Sequence, residues 1–321
     1  MKRLYLSLIG SLFGTMLTFC PAQVSAEDGN CSIFGFDTAL NFSIGGGYRQ
    51  DKIKWSANSI GLPEFKTLEK WDHLHTGIVD AKAELLICES LYMQANFDYG
   101  WFDDNGTQTI RATHISDDSL SYTVHASPKG RLYDLSGALG YQFNMCCYKF
   151  GFTPLAGYSY HHQKLSSNHY REAHQHVAED ESEKSDIDVI KTHNTYNGHW
   201  SGPLAGFTTF YQIDCDWKMG LAYAYHYARF QNTVRENFSS LGSNRGEHVF
   251  VGKQTSNWGN GHEFFAYTSY EFSPFWILGL NYNFKEFKAS GGSLKYPKHR
   301  AKIHDISWKT WNATMDIGYI F

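Results

Sequence analysis

The stretch Trp217-Lys218-Met219-Gly220-Leu221-Ala222-Tyr223-Ala224-Tyr225-His226-Tyr227-Ala228 puts every large apolar residue at an odd position and every small or polar one at an even position. A period of two is the mark of a β-strand, whose successive side chains leave opposite faces. Residues 91–101, 276–284 and 311–321 repeat the pattern, for example Leu91, Met93, Ala95, Phe97, Tyr99 and Trp101 against Tyr92, Gln94, Asn96, Asp98 and Gly100. The apolar face is aromatic-rich, especially toward segment ends, and the other face is small or polar. A soluble sandwich buries branched aliphatics and turns charge outward. A lipid-facing strand needs the reverse: apolar residues outside, aromatic girdles at both interfaces, and a polar lumen. Unpaired backbone groups are not tolerated in lipid, so such a sheet must close on itself.

Composition agrees. The 321 residues are 42% hydrophobic, 17% aromatic and 19% charged, yet mean hydropathy is only -0.42. Apolar residues are therefore interleaved with polar ones, which argues against helical membrane spans and against disorder. Lys2 and Arg3, the apolar run Leu4 to Phe19, and the small residues Val24-Ser25-Ala26 read as a signal peptide over residues 1–26. Cleavage there moves the net charge from -4 to -6. That mild acidity argues against a nucleic-acid partner.

Residues 27–321 are thus predicted to form one all-β domain, a transmembrane antiparallel up-and-down β-barrel of about ten strands in the bacterial outer membrane. The expected strands are 33–54, 68–87, 91–102, 130–145, 148–164, 197–213, 217–231, 260–272, 275–288 and 305–321. Short periplasmic turns alternate with long extracellular loops, above all near 103–129, 165–196 and 232–259. Outer-membrane lipid is the implied surrounding partner.

The inward faces collect Asp80, Lys82, Glu84, Asp134, Lys218, His226, Lys285 and Asp316 as lumen-lining candidates. Charges in a barrel need partners or water, so these residues either pair across the lumen or line a narrow water path. Small inward residues such as Ala138, Gly140, Gly220, Ala222, Ala224 and Gly279 favour the narrow pore. Ala224→Arg is accordingly expected to be mild. In the third long loop His174 and His176 are weak candidates for a metal, and no cofactor motif is present. Cys31, Cys88, Cys146, Cys147 and Cys215 all fall at the N-terminal approach or in short turns. That puts them on the oxidising periplasmic rim, where disulfides to neighbouring envelope proteins or to a second copy can persist.

The run Trp200-Ser201-Gly202-Pro203-Leu204-Ala205-Gly206 leads to Lys218-Met219-Gly220, and Tyr270-Glu271-Phe272-Ser273-Pro274 precedes a further strand. With Tyr133-Asp134-Leu135 and the terminal Gly318-Tyr319-Ile320-Phe321, this spacing resembles the omptins, ten-stranded outer-membrane aspartyl proteases. The cysteine placement and signal peptide resemble the outer-membrane proteins of chlamydia-like bacteria, a Protochlamydia-type family. The omptin resemblance implies an Asp pair after the third strand, for which Asp103, Asp104, Asp117 and Asp118 are the candidates. It also implies an Asp-His pair after the seventh. No Asp lies between Gln231 and His262, and Glu247-His248 is the one acid-histidine neighbour there. The resemblance therefore implies the barrel and not the peptidase. The expectation is a porin-like channel combined with disulfide-linked envelope structure; an omptin-like protease with rearranged acids, or an adhesin, are the alternatives.

Overall fold

The computed structural model describes residues 32–33, 36–60, 65–102, 106–114, 121–145, 149–171, 190–239, 248–295 and 300–321. Among them, ten long strands follow one another: β1 (Phe36–Ile60), β2 (Phe65–Ile87), β3 (Leu91–Phe102), β4 (Ser121–Tyr141) and β5 (Phe150–Arg171). They continue as β6 (Ile190–Gln212), β7 (Trp217–Ser239), β8 (His248–Ser273), β9 (Trp276–Ser290) and β10 (Arg300–Ile320). Each pairs antiparallel with the next, and β10 pairs with β1 from Arg300↔Ile60 to Ile320↔Asn41. The sheet closes, leaving no edge. Short segments complete two strands: Thr107–His114 carries the line of β3 outward between β2 and β4, and Gly292–Lys295 does so for β9 between β8 and β10.

Alternation sets the faces as the sequence predicts. Leu221 is 62% exposed on the outer wall, with Leu280, Leu139, Met315 and Ile44 also outward. Trp217, Trp276 and Phe321 mark the periplasmic interface, and Tyr48, Trp101, Tyr227 and Trp258 the outer one. Leu221 stands about midway between Trp217 and Tyr225, so Leu221→Arg is expected to cost roughly 2–4 kcal/mol, the penalty for a cation on the lipid face near the midplane. Unfolding titrations in lipid vesicles measure it, and a cost under about 1 kcal/mol would mean that this face does not meet lipid.

The short turns fit their end of the barrel. Cys88 and Glu89 both have positive φ (50° and 56°), and Ser90 N donates to Ile87 O at 3.2 Å. This is the two-residue primed turn whose twist matches its strands.

The strands run well past the expected boundaries. A tilted membrane strand needs about 9–11 residues, whereas β7 has 23 and β8 has 26. Much of 103–129, 165–196 and 232–259 is therefore wall and not loop. The cause is an inversion of the pattern. Inside the membrane the odd residues of β7 are apolar and face lipid. Above it the odd residues Gln231, Thr233 and Arg235 are exposed to water, and the even residues Phe230 and Val234 are buried inside. The alternation persists while its apolar face changes side.

Ala224 points inward, where it packs against buried Ala138, Leu155 and Leu204 and borders the interior cavity.

Candidate functional site

The interior has three levels. Nearest the periplasm is a cavity of about 110 Å³ whose lining includes Asp80, Lys82, Glu84, Asn96, Asn281 and Asp316. Lys82 pairs with Glu84 at 2.8 Å, Tyr92 Oη donates to Glu84 Oε1 at 2.5 Å, and Asn281 Nδ2 donates to Asp316 Oδ1 at 2.8 Å. Gly279 makes room for the Asp316 carboxylate, which would have to shift if a Cβ were added 2.1 Å from its Oδ1.

Above the cavity lies a charged layer centred on Asp134 of β4. It receives Arg49 Nη1 at 2.9 Å and Lys285 Nζ at 3.1 Å, and His161 Nδ1 lies 3.2 Å away. β4 and β9 stand five strands apart in a ring of ten, so the Lys285–Asp134 contact joins opposite walls. Arg49 also grips Asp51 through Nε and Nη2 at 2.9 and 3.0 Å, and Trp308 Nε1 donates to Asp51 Oδ1 at 2.7 Å. Glu263 lies 3.4 Å from Lys285 and 3.1 Å from His226 Nε2, whose Nδ1 meets Ser159 Oγ at 2.8 Å. Charges so deep are tolerated because nearly every one has two or more partners.

The third level, toward the cell exterior, is an apolar core. Trp71, Trp200, Trp308, Phe287 and Ile303 are each no more than 2% exposed. Trp71 meets Tyr196 edge-on at 5.1 Å, and Phe287 lies 5.5 Å from Trp200 and stacks on Trp308 at 5.2 Å. β2 and β6, which carry the first pair, are four strands apart, so rings from distant walls touch. The small inward residues predict a pore; Ala222 and Ala224 do border the cavity, and above it long side chains from other positions reach across the lumen.

Of the lumen candidates, Asp134, His226 and Lys285 come together in the charged layer. Asp80, Lys82, Glu84 and Asp316 line the cavity below, and Lys218 sits over the Phe210 ring at 4.6 Å. Arg49, Asp51, Asp98, His161 and Glu263 belong to the same layer but escape the sequence reading. Their signal is inward parity: Asp98 occupies the lumen face of β3 in the alternation itself. Cys88 and Cys215 are free and exposed. Asp103, Asp104, Asp117, Asp118, His174, His176, Cys31, Cys146 and Cys147 lie outside the described residues. His248 opens β8, in register with Phe238 at the outer end. Among the described residues no group of three or more His, Cys, Asp or Glu is placed to hold a metal.

On the outer wall two carboxylates above the aromatic girdle are held in the charged form. Burial acts to raise Asp72, but hydrogen bonds from Lys70 and Lys52 hold it below the usual carboxylate range. Glu286 is lowered by the hydrogen bond from Lys288, and further by Lys309.

A closed ten-stranded barrel with an apolar outer band, aromatic interfaces and a polar lumen is a bacterial outer-membrane β-barrel. Residues 43–321 match the family model described as Pom, Protochlamydia outer membrane protein, and the chain belongs to that family. Among solved structures, the outer membrane protease OmpT from Escherichia coli is similar with a TM-score of 0.69 and 12% identity, over 88% of this chain and 97% of that one. That likeness shows the fold. The Ralstonia pickettii toluene transporter TbuX aligns over 88% and 90% of the two chains with 9% identity and a TM-score of 0.35. The Pseudomonas putida toluene transporter TodX does so over 87% and 89%, with 9% identity and a TM-score of 0.31. No curated protein matches.

Proposed function

We propose that this protein is a closed structural barrel of the outer membrane, presenting its outer rim to the surroundings and its cysteine-bearing turns to the periplasm. One observation carries the reading: Lys285 and Asp134 meet at 3.1 Å from opposite walls, directly beneath a core of buried tryptophans. A hydrated ion needs a continuous polar path, and tightly packed aromatic rings offer none. This replaces the porin-like channel expected from small inward residues. Peptidase chemistry is disfavoured on the same ground. His161 beside Asp134 and His226 beside Glu263 are acid–imidazole pairs, but both histidines are at most 1% exposed, and a general base must reach its substrate. The linking role rests on Cys88 and Cys215, free and exposed on periplasmic turns where disulfides persist.

The refolded mature chain in a planar bilayer should hold baseline current. Stable porin-sized conductance steps would overturn the closed-barrel reading. Thiol-trapped membranes should give high-mass species on non-reducing gels, lost when Cys88 and Cys215 become Ser; a monomer with alkylatable thiols would end the linking role.

A further inference from the structure

Just above the outer aromatic girdle, the wall made by β9, β10, β1 and β2 turns basic. Lys52 of β1 stands in register with Lys309 of β10, and Lys54 with Ser307. On the outer face these four side chains corner a patch about one strand spacing wide and, from two residues at about 3.3 Å each, roughly 6.6 Å tall. Lys70 flanks it opposite Lys54 on one side, and Lys288 opposite Ser307 on the other. Two acids stand at the edges: Asp72, bonded to Lys70 and 3.0 Å from Lys52, and Glu286, 3.1 Å from Lys309 and 2.6 Å from Lys288. Five lysines thus share two carboxylates, and the middle of the patch keeps a surplus of positive charge.

Like charges directly opposite one another on antiparallel strands are destabilising. Lys52 and Lys309 are nonetheless placed so, with side chains 51% and 49% exposed. An anion between them converts that repulsion into charge-assisted hydrogen bonds. The height of the patch says where the anion comes from. One row below Lys309 is Trp311, whose Nε1 donates to Gln50 Oε1 at 3.0 Å, and Tyr48 and Tyr282 lie 5.4 and 6.4 Å from the same indole. Tyrosine and tryptophan mark the membrane–water interface, so the lysines stand at headgroup level. The next acid outward on β10, Asp305, is exposed one row above Ser307 and bounds the patch on its solvent side.

We propose that Lys52, Lys54, Lys309 and Ser307 bind the phosphate group of an outer-leaflet lipid headgroup. The three ammonium groups and the Ser307 hydroxyl donate to phosphate oxygens, while the acyl chains run down past Trp311 and Tyr282.

Native mass spectrometry of the detergent-solubilised mature barrel with dioleoyl phosphatidic acid tests this. Wild type should retain the lipid, and K52Q/K54Q/K309Q should bind it about tenfold or more weakly. K302Q, on the same strand but further out, should bind as wild type does. K309Q alone should fall between, which keeps the test alive if the triple variant does not close. Inorganic phosphate at the same concentration should not displace the lipid. With phosphatidic acid present, thermal unfolding of wild type should move upward and that of the triple variant should not, because a ligand stabilises only the form that binds it. Equal lipid retention by the folded triple variant would overturn the site. Full displacement by inorganic phosphate would make it a site for a free anion and overturn the lipid assignment.

Discussion

Asp134→Ala should destabilise the barrel by about 3–5 kcal/mol, the usual effect of removing one partner from a buried charge cluster. Among the described residues, Asp134 is the only acid that Arg49, Lys285 and His161 all approach within 3.2 Å. Without it, Lys285 keeps Glu263 at 3.4 Å and a distant Asp98 at 3.9 Å, and Arg49 keeps Asp51. The cost therefore comes mainly from losing the central carboxylate between two buried cations. Urea-induced unfolding in detergent, followed by tryptophan fluorescence, gives the number. The double variant D134A/K285M should recover part of the loss, since a buried cation leaves together with its anion. A single-variant cost below about 1 kcal/mol would mean that water reaches this layer and that the interior is not closed.

Trp308→Ala should cost a similar 3–5 kcal/mol for a different reason, the cavity left by a large buried ring. Trp308 is 0% exposed, stacks on Phe287 at 5.2 Å and lies under the Arg49 guanidinium at 5.5 Å. It also donates to Asp51, so the variant removes packing and a hydrogen bond together. Trp308→Phe should lose less, because the ring stays and only the donor goes. In a bilayer Trp308→Ala should still hold baseline current, because the Arg49–Asp134–Lys285 layer below it is intact. A steady conductance in this variant, absent from wild type, would make Trp308 the gate of a channel and would replace the structural reading.

The strand order and lipid face were legible because period-two alternation is local: each residue reports its own side of the wall. That is why Leu221, Leu280 and Ile317 could be placed outside, and Asp80, Asp134 and Lys285 inside. The outer halves of the strands resemble loop in sequence because the local contrast reverses at the membrane surface. Thr233 and Arg235 look like loop residues until Phe230 and Val234 are seen to bury themselves within the barrel.

What the chain determined by itself was the closed, lipid-facing ten-stranded sheet, since alternation and turn placement arise from neighbouring residues. Only the tertiary structure decided what fills it. Arg49, Asp134 and Lys285 are separated by 85 and 151 residues, and no local pattern signals that they meet. They do so because ten tilted strands make a ring narrow enough for long side chains from opposite walls to touch. Width across the barrel, a property of closure, brings into contact charges that local alternation places only on a common lumen face.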